Sequence, residues 1–239
     1  MCLILLSWQQ QSACPLIVAA NRDEFFERPT LPVHFWPESP HILAGRDQQF
    51  GGSWLGLSTN GRFAAITNLR NRDVGDQSRG ELVRRFLDSS ERCSTFFDEL
   101  EAEKYQYRPF NFIAFDGSTL VHSDNISSGW KNLEAGTHCI GNIPHTARSA
   151  KTDQALAAFK PLAARHDDPK PLLAFMQDDR PTVDSGDELQ KMLSCRFVRS
   201  PTYGTRSTSV VFVRQGGAEL WEQGYDSEQR PAELRQFQV

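Results

Sequence analysis

The residue with the most distinctive chemistry is Cys2, directly behind Met1 at the head of the apolar run CLILLSW. A cysteine there is small enough to permit Met1 removal, which leaves a thiol and a free α-amine on one residue. The amine has an ordinary pKa of about 7.7–8.0 and the thiol one near 8.5. Near neutral pH a useful fraction of the amine is therefore free base, able to activate the thiol directly or through water. A second polar group follows at Asn21-Arg22-Asp23-Glu24. A nearby arginine favours the thiolate, and an aspartate can orient the amine. Asn68 ends the run RFAAITN and Asn142 ends THCIGN; side-chain amides at strand ends can donate to an oxyanion, a role worth about 3 kcal/mol. Arg206, in Tyr203-Gly-Thr-Arg-Ser-Thr, leads into the apolar SVVFV, with Asp23, Glu24 or the sheet rim as its prospective partners. Each feature has a plain alternative: a buried strand cysteine, a surface ion-pair cluster, asparagines that close turns.

The elements that must position these residues are strands. CLILLSW and LIVAA are continuously apolar runs flanking the polar turn QQQSACP, the pattern of a hairpin covered on both faces. With the turn centred near Ser12, pairing positions sum to about 24, so Cys2 lies opposite Arg22. The tetrad at 21–24 then follows directly on the end of a buried strand, where its charges are costly unless they pair or serve a site. A second hairpin is expected at SWLGLS and RFAAIT across Asn60-Gly61, with a proline-punctuated loop over 28–41 before it. Ser78 and Glu81 read as a capping box opening a helix, and another helix is expected over 94–104. NFIAFDG, TLVHSDN and THCIGN predict strands. Helices follow at 149–160, near 171–178 and after Ser185/Glu188, and TSVVFVR with AELWEQGY closes the chain as a hairpin across Gly216-Gly217. This order suits antiparallel sheets sandwiched by helices rather than βαβ units.

The 239 residues, 39% of them hydrophobic and 23% charged, predict one large layered domain over residues 1–239. A net charge of −4 argues against nucleic acid or an anionic membrane surface as partner. The clusters Arg70/Arg72 and Arg84/Arg85 read as solvated faces. Five scattered cysteines without CxxC spacing are not a disulfide framework, and no stretch reaches membrane length. A reducing, cytoplasmic setting is expected, with no stable membrane insertion. The six histidines, His34, His41, His122, His138, His145 and His166, have no HxxxH or HExxH spacing, and no metal site is expected. FGGSWLG is neither a P-loop nor a dinucleotide fingerprint, and no GxSxG elbow is present.

Taken in order, Met1-Cys2, Ala20-Asn-Arg-Asp-Glu24, Gly51-Gly-Ser-Trp-Leu-Gly56, Thr67-Asn68, Ser78-Arg-Gly-Glu81 and Tyr203-Gly-Thr-Arg206 resemble the NRDE family. That family includes the transport and Golgi organisation protein 2 homologues, and the resemblance runs from Met1 to about Tyr225. It implies a fold similar to N-terminal-nucleophile hydrolases: α+β, a four-layer αββα sandwich of antiparallel sheets. The penicillin V acylase and bile-salt hydrolase group of those enzymes also begins Met-Cys. By that analogy Cys2 is nucleophile and, through its amine, base; Arg22 and Asp23 polarise and orient it; Asn142 and Asn68 are oxyanion donors. Asn21, Glu24, Trp54 and Arg206 are the expected ligand contacts. Where family members carry a Trp-Pro-Lys stretch, this chain has Asn142-Ile-Pro-His and no tryptophan. The resemblance implies a binding and trafficking role on a hydrolase-derived scaffold, in haem mobilisation or in lipid or acyl-CoA handling. Haem is then a bound ligand rather than a required cofactor. The alternative is a Cys2-dependent amidohydrolase that cleaves linear amides of an acyl substrate through an acyl-enzyme.

Overall fold

Branched side chains dominate LILLSW and LIVAA, and both runs are strands of one antiparallel sheet. The computed structural model describes residues 2–69, 75–164 and 168–239. Met1, Arg70, Arg72 and His166, named above, lie outside the described residues. By its contacts the chain divides into two units, Met1–Glu27 with Ala135–Gly141 and His145–Gln238, and Arg28–Glu134 with Asn142–Pro144 and Val239.

With strands numbered along the chain, the first unit holds β1 (Leu3–Trp8), β2 (Leu16–Phe25), β10 (Gly136–Ile140), β11 (Tyr203–Arg214), β12 (Gly217–Tyr225) and β13 (Pro231–Gln238). They form a six-stranded sheet in the order β10-β1-β2-β11-β12-β13. β1 and β2 pair from Leu3↔Asn21 to Trp8↔Leu16, the register the hairpin arithmetic requires. β2 does not end before the tetrad, as expected, but runs through it to Phe25. The cause is β11, which pairs Thr208 with Asn21, Ser207 with Arg22, Thr205 with Asp23 and Gly204 with Glu24. A partner strand satisfies the backbone of residues whose side chains alone suggest an exit into solvent.

Three helices belong to this unit: α3 (Ala150–Leu162), α4 (Lys170–Met176) and α5 (Glu188–Ser194). A Ser149–Thr152 capping box opens α3. Ahead of α5 the cap is Asp187, whose carboxylate accepts from Leu189 and Gln190, rather than the expected Ser185. Ala155 and Phe159 of α3, with Leu172, Leu173 and Met176 of α4, share a core with Leu3, Leu5, Ile17, Ala19, Val210 and Phe212. Each fully buried leucine or isoleucine there contributes roughly 1.5–3 kcal/mol. Side chains alternate along a strand, so the odd-numbered residues of β1 and β2 face the helices.

The second unit is a meander of β3 (Thr30–Trp36), β4 (Ser39–Asp47), β5 (Leu55–Ser58), β6 (Phe63–Asn68), β7 (Phe110–Phe115), β8 (Leu120–Asp124) and β9 (Trp130–Asn132). With it come α1 (Gly80–Asp88) and α2 (Cys93–Glu103), which bury Phe86, Phe96 and Phe97 against Phe112. Asn60-Gly61 makes the expected turn, with Gly61 at φ +79°. Two expectations fail. The proline-punctuated stretch is not a loop but β3 and the start of β4; Pro32 is tolerated on an edge strand, beside a register shift between Leu31 and His34. Ser78/Glu81 forms no capping box. The helix starts at Gly80 behind an Arg79 cap, which leaves Glu81 too early to reach back, and it binds Arg84 instead. No helix among the described residues is long and apolar enough to cross a membrane.

Candidate functional site

The β1–β2 register, continued one step past Leu3↔Asn21, brings Cys2 alongside Arg22. Cys2 is partly buried and Arg22 is buried. Burial pushes the Cys2 thiol above its ordinary value, and the Asp23 charge adds to that. The Asp23 backbone amide, hydrogen-bonded to the sulfur, and the Arg22 guanidinium pull the other way. At rest the thiol is protonated, beside two groups that favour its ionised form.

Asp23 is only 3% exposed. Its Oδ1 accepts a hydrogen bond from Thr205 Oγ1 at 2.7 Å, and Thr205 Oγ1 accepts from the Val198 N–H at 2.9 Å. The Tyr203 hydroxyl donates to the Asp23 carbonyl. Burial raises the Asp23 carboxyl above the usual range, while Lys151, Thr205 and Arg22 draw it down. Asn21, two residues earlier on the same face, is used within the protein. Its Nδ2 donates to the carbonyls of Met176 at 2.8 Å and Arg196 at 2.9 Å, and its Oδ1 accepts from Thr208 Oγ1. It fastens the end of α4 and the segment after α5 to the sheet.

A β-bulge makes this arrangement possible. Thr205 and Thr208 are three apart, yet they bind Asp23 and Asn21, which are two apart and share a face. The register shifts between Thr205 and Ser207, so Arg206 is the extra residue. Arg206, expected to meet Asp23, Glu24 or the sheet rim, donates Nη1 to the carbonyls of Phe25 at 2.8 Å and Phe26 at 3.3 Å and feels the Glu24 charge. Glu24 caps its own strand end through the Phe25 N–H.

The remaining expected residues belong to the other unit. Asn142 Nδ2 donates to the Asn68 carbonyl at 2.6 Å, so these two are joined. Close by in the same unit, Asn111 donates to the Ile143 carbonyl and to Thr67 Oγ1 and meets His122. Trp54 packs against Gly45, where a Cβ would stand 2.3 Å from the indole.

Two residues were missed from sequence. Thr205 lies inside the Tyr203-Gly-Thr-Arg motif, directly before the Arg206 expected as a ligand contact. Lys151, in the first turn of α3, donates to the Leu193 carbonyl at 3.2 Å. Burial lowers it, and Asp23, Cys139, Cys195 and Cys2 draw it back up. Only the capping box at Ser149 marked where this lysine would lie.

A pocket of about 190 Å³ opens on the first unit, lined by His138, Cys139, His145, Arg148 and Asp153 among others. The two imidazole centroids are 6.1 Å apart. Sites that enclose drug-sized ligands run to roughly 300–1,000 Å³, so this pocket does not enclose a haem. Among the described residues no three His, Cys, Asp or Glu side chains are grouped to hold a metal ion. None of the five cysteines is in a disulfide.

The sequence and fold have known counterparts. The chain is 29% identical over 254 residues to the human transport and Golgi organization protein 2 homolog, covering 91% of this chain and 90% of that one. It is 28% identical over 263 residues to the Bos taurus homolog, with the same coverage. Among solved structures, penicillin V acylase from Agrobacterium tumefaciens superposes with a TM-score of 0.52 at 12% identity, over 99% of this chain and 85% of that one. That likeness shows the fold alone: the α+β class with antiparallel sheets expected from the sequence, of the N-terminal-nucleophile hydrolase kind. The family model for Transport and Golgi organisation 2 matches residues 1–227, and the chain belongs to that family.

Proposed function

We propose that this protein is a Cys2-dependent amidohydrolase acting on an acyl amide. The observation that carries the reading is the junction of β1 and β2, where Cys2 meets Arg22 and the Asp23 amide. Once Met1 is removed, the Cys2 α-amine takes the thiol proton as sulfur attacks the amide carbonyl. The C–N bond then breaks, the amine leaves with that proton, and a Cys2 thioester remains. Water, deprotonated by the same α-amine, attacks the thioester and releases the carboxylic acid with the thiol restored. Arg22 favours the negative sulfur, and Asp23 orients the amine. Penicillin V acylase, of like fold, supports the choice of an amide as substrate by analogy of fold.

The test uses protein whose intact mass begins at Cys2, incubated with a panel of N-acyl amides. Acid and amine should appear in equal amounts, a Cys2 acyl adduct should be seen by mass at early times, and Cys2→Ala should abolish both. Neither turnover nor adduct with any member of the panel would sink the reading.

A second reading, carriage of a flat or acyl ligand such as haem, a lipid or acyl-CoA without cleavage, is favoured by the thiol that burial keeps protonated and by the relatives' names, which speak of transport. The His138/His145 pocket is too small to serve a haem, so a haem carrier needs another surface. A haem titration with no saturable Soret shift excludes that version.

A further inference from the structure

We propose that the pocket between β10 and the start of α3 binds a borderline divalent cation of the zinc kind, with His138 and His145 as its two protein ligands. The inference is independent of the reading of Cys2, and it assigns a pocket that neither reading of the function uses.

The fold brings the two rings together. β10 is an edge strand of the six-stranded sheet, and it pairs His138 with Leu6 and Cys139 with Leu5 of β1. Successive strand residues alternate faces, so Cys139 joins the core under α3 and α4 while His138 leaves β10 on the other side. Beyond β10 the chain turns at His145 and reaches α3, whose start is fixed by the Ser149–Thr152 capping box. His138 and His145 are seven residues apart, a spacing that marks no ligand motif. The turn nevertheless sets their ring centroids 6.1 Å apart. Both residues are half-buried and line the same pocket of about 190 Å³, which has room for an ion and a few waters at about 30 Å³ each.

Imidazole suits zinc, nickel and copper, whereas magnesium and calcium take oxygen ligands. A shared zinc stands about 2.0–2.1 Å from one nitrogen of each ring, and that nitrogen about 1.2 Å from its centroid, so the centroids are then at most about 6.6 Å apart. The observed 6.1 Å lies inside that limit. A tetrahedral angle at the ion corresponds to about 5.3 Å, so closure asks for a side-chain adjustment of under about 1 Å. Each ring has two nitrogens, and one can ligate while the other keeps a partner in the protein. No third His, Cys, Asp or Glu is grouped with them among the described residues. Water therefore completes the shell, as at an open site rather than a closed structural one. An anion fits less well: Arg148 in the pocket wall is matched by Asp153, Nε to Oδ1 at 2.8 Å, and Asp153 lines the pocket too. A bound ion fastens the edge strand to the segment before α3 and stabilises the folded chain by linkage.

The experiment titrates zinc, nickel and magnesium into the full chain carrying Cys2→Ala, which removes the competing thiol at residue 2. The same chain is then compared with His138→Gln, His145→Gln or His34→Gln added, each checked for a cooperative melt. Calorimetry should show one equivalent of zinc or of nickel bound, and no magnesium. His138→Gln and His145→Gln should each weaken zinc by about tenfold or more, because partners outside a metal's shell already cost about 10–100-fold. His34→Gln should leave the affinity unchanged. Zinc should raise the melting temperature of the parent chain and of His34→Gln, but of neither other variant. The imidazole nitrogen resonances of His138 and His145 should move together as zinc is added. If His138→Gln fails to melt cooperatively, His145→Gln decides, since His145 stands outside the strands. No saturable zinc binding, magnesium binding as tight as zinc, or a zinc affinity that survives His145→Gln overturns the proposal.

Discussion

Thr205→Val tests the anchoring of Asp23, because valine keeps the shape and removes one oxygen. That oxygen donates to Asp23 Oδ1 at 2.7 Å and accepts from the Val198 N–H at 2.9 Å. A hydrogen bond to a charged group contributes about 1.5–3 kcal/mol, and a buried N–H left without its partner costs about 1–3 kcal/mol. The added methyl returns about 0.8 kcal/mol of burial, so the net loss at neutral pH is about 3 kcal/mol. For a chain of this length that lowers Tm by about 6–12 °C. The pH dependence supplies a sharper check. Burial raises Asp23 above its ordinary 3.8, so its contribution to stability is fully present below pH 3.8 and is lost as pH rises through the folded-state value. Thr205 draws Asp23 down; without it the folded value climbs further and more stability is lost at neutral pH. Urea unfolding of wild type, Thr205→Val and Thr205→Ser near pH 4 and pH 7, with matched m-values, should show the valine penalty larger at pH 7. Serine should recover most of it. A valine penalty below about 1 kcal/mol at pH 7, or one equal at both pH values, would refute the reasoning.

Three further outcomes are expected. Gly45→Ala should destabilise by about 1–3 kcal/mol and change the tryptophan emission, since the new methyl meets the Trp54 ring at 2.3 Å; an unchanged melt and spectrum would count against that packing. Asn21→Leu should cost about 2–4 kcal/mol, because the carbonyls of Met176 and Arg196 both lose their donor, and hydrogen exchange should quicken at the end of α4. Asp178 is held at about 2, first by its hydrogen bonds from Arg180 and then by the Arg196 charge. Its stabilisation is present above the ordinary 3.8 and lost as pH falls toward about 2, so Asp178→Asn should flatten the acid limb of an unfolding curve, and an unaltered limb would dismiss the pairing.

The hairpin that carries Cys2 was readable because two apolar runs across a polar turn leave little freedom of register. The tetrad's membership in β2 was not, since polarity at a strand's end looks the same as exit into solvent until β11, some 180 residues later in sequence, supplies the pairing. Thr205 was hidden for a related reason. Alternation places Thr205 and Thr208 on opposite faces, and only the bulge at Arg206 brings them to one. β3 was masked by Pro32, a poor strand residue everywhere except at an edge. β13 was missed because its residues are largely exposed, with no apolar face to announce a strand. Lys151 had no signature at all: an isolated lysine in a first turn reads as solvated surface, and only the packing of α3 brings its ammonium to the Leu193 carbonyl.

The bulge also says what the tetrad is for. Asn21 and Asp23 occupy equivalent places, each accepting from a threonine of β11; Asn21 ties a helix-side segment to the sheet directly and Asp23 does so through Thr205. For that task a neutral amide is enough, as Asn21 demonstrates, and an asparagine at position 23 would accept the Thr205 hydrogen bond without a buried charge. Burying an ionised group costs several kcal/mol that structural anchoring does not require. What distinguishes Asp23 from Asn21 is therefore an ionisable carboxyl, set one residue past Arg22 and raised by its burial. Anchoring alone accounts for Asn21 and Thr208; an ionisable group at position 23 exceeds that need, and it is what the chemistry proposed at Cys2 would use.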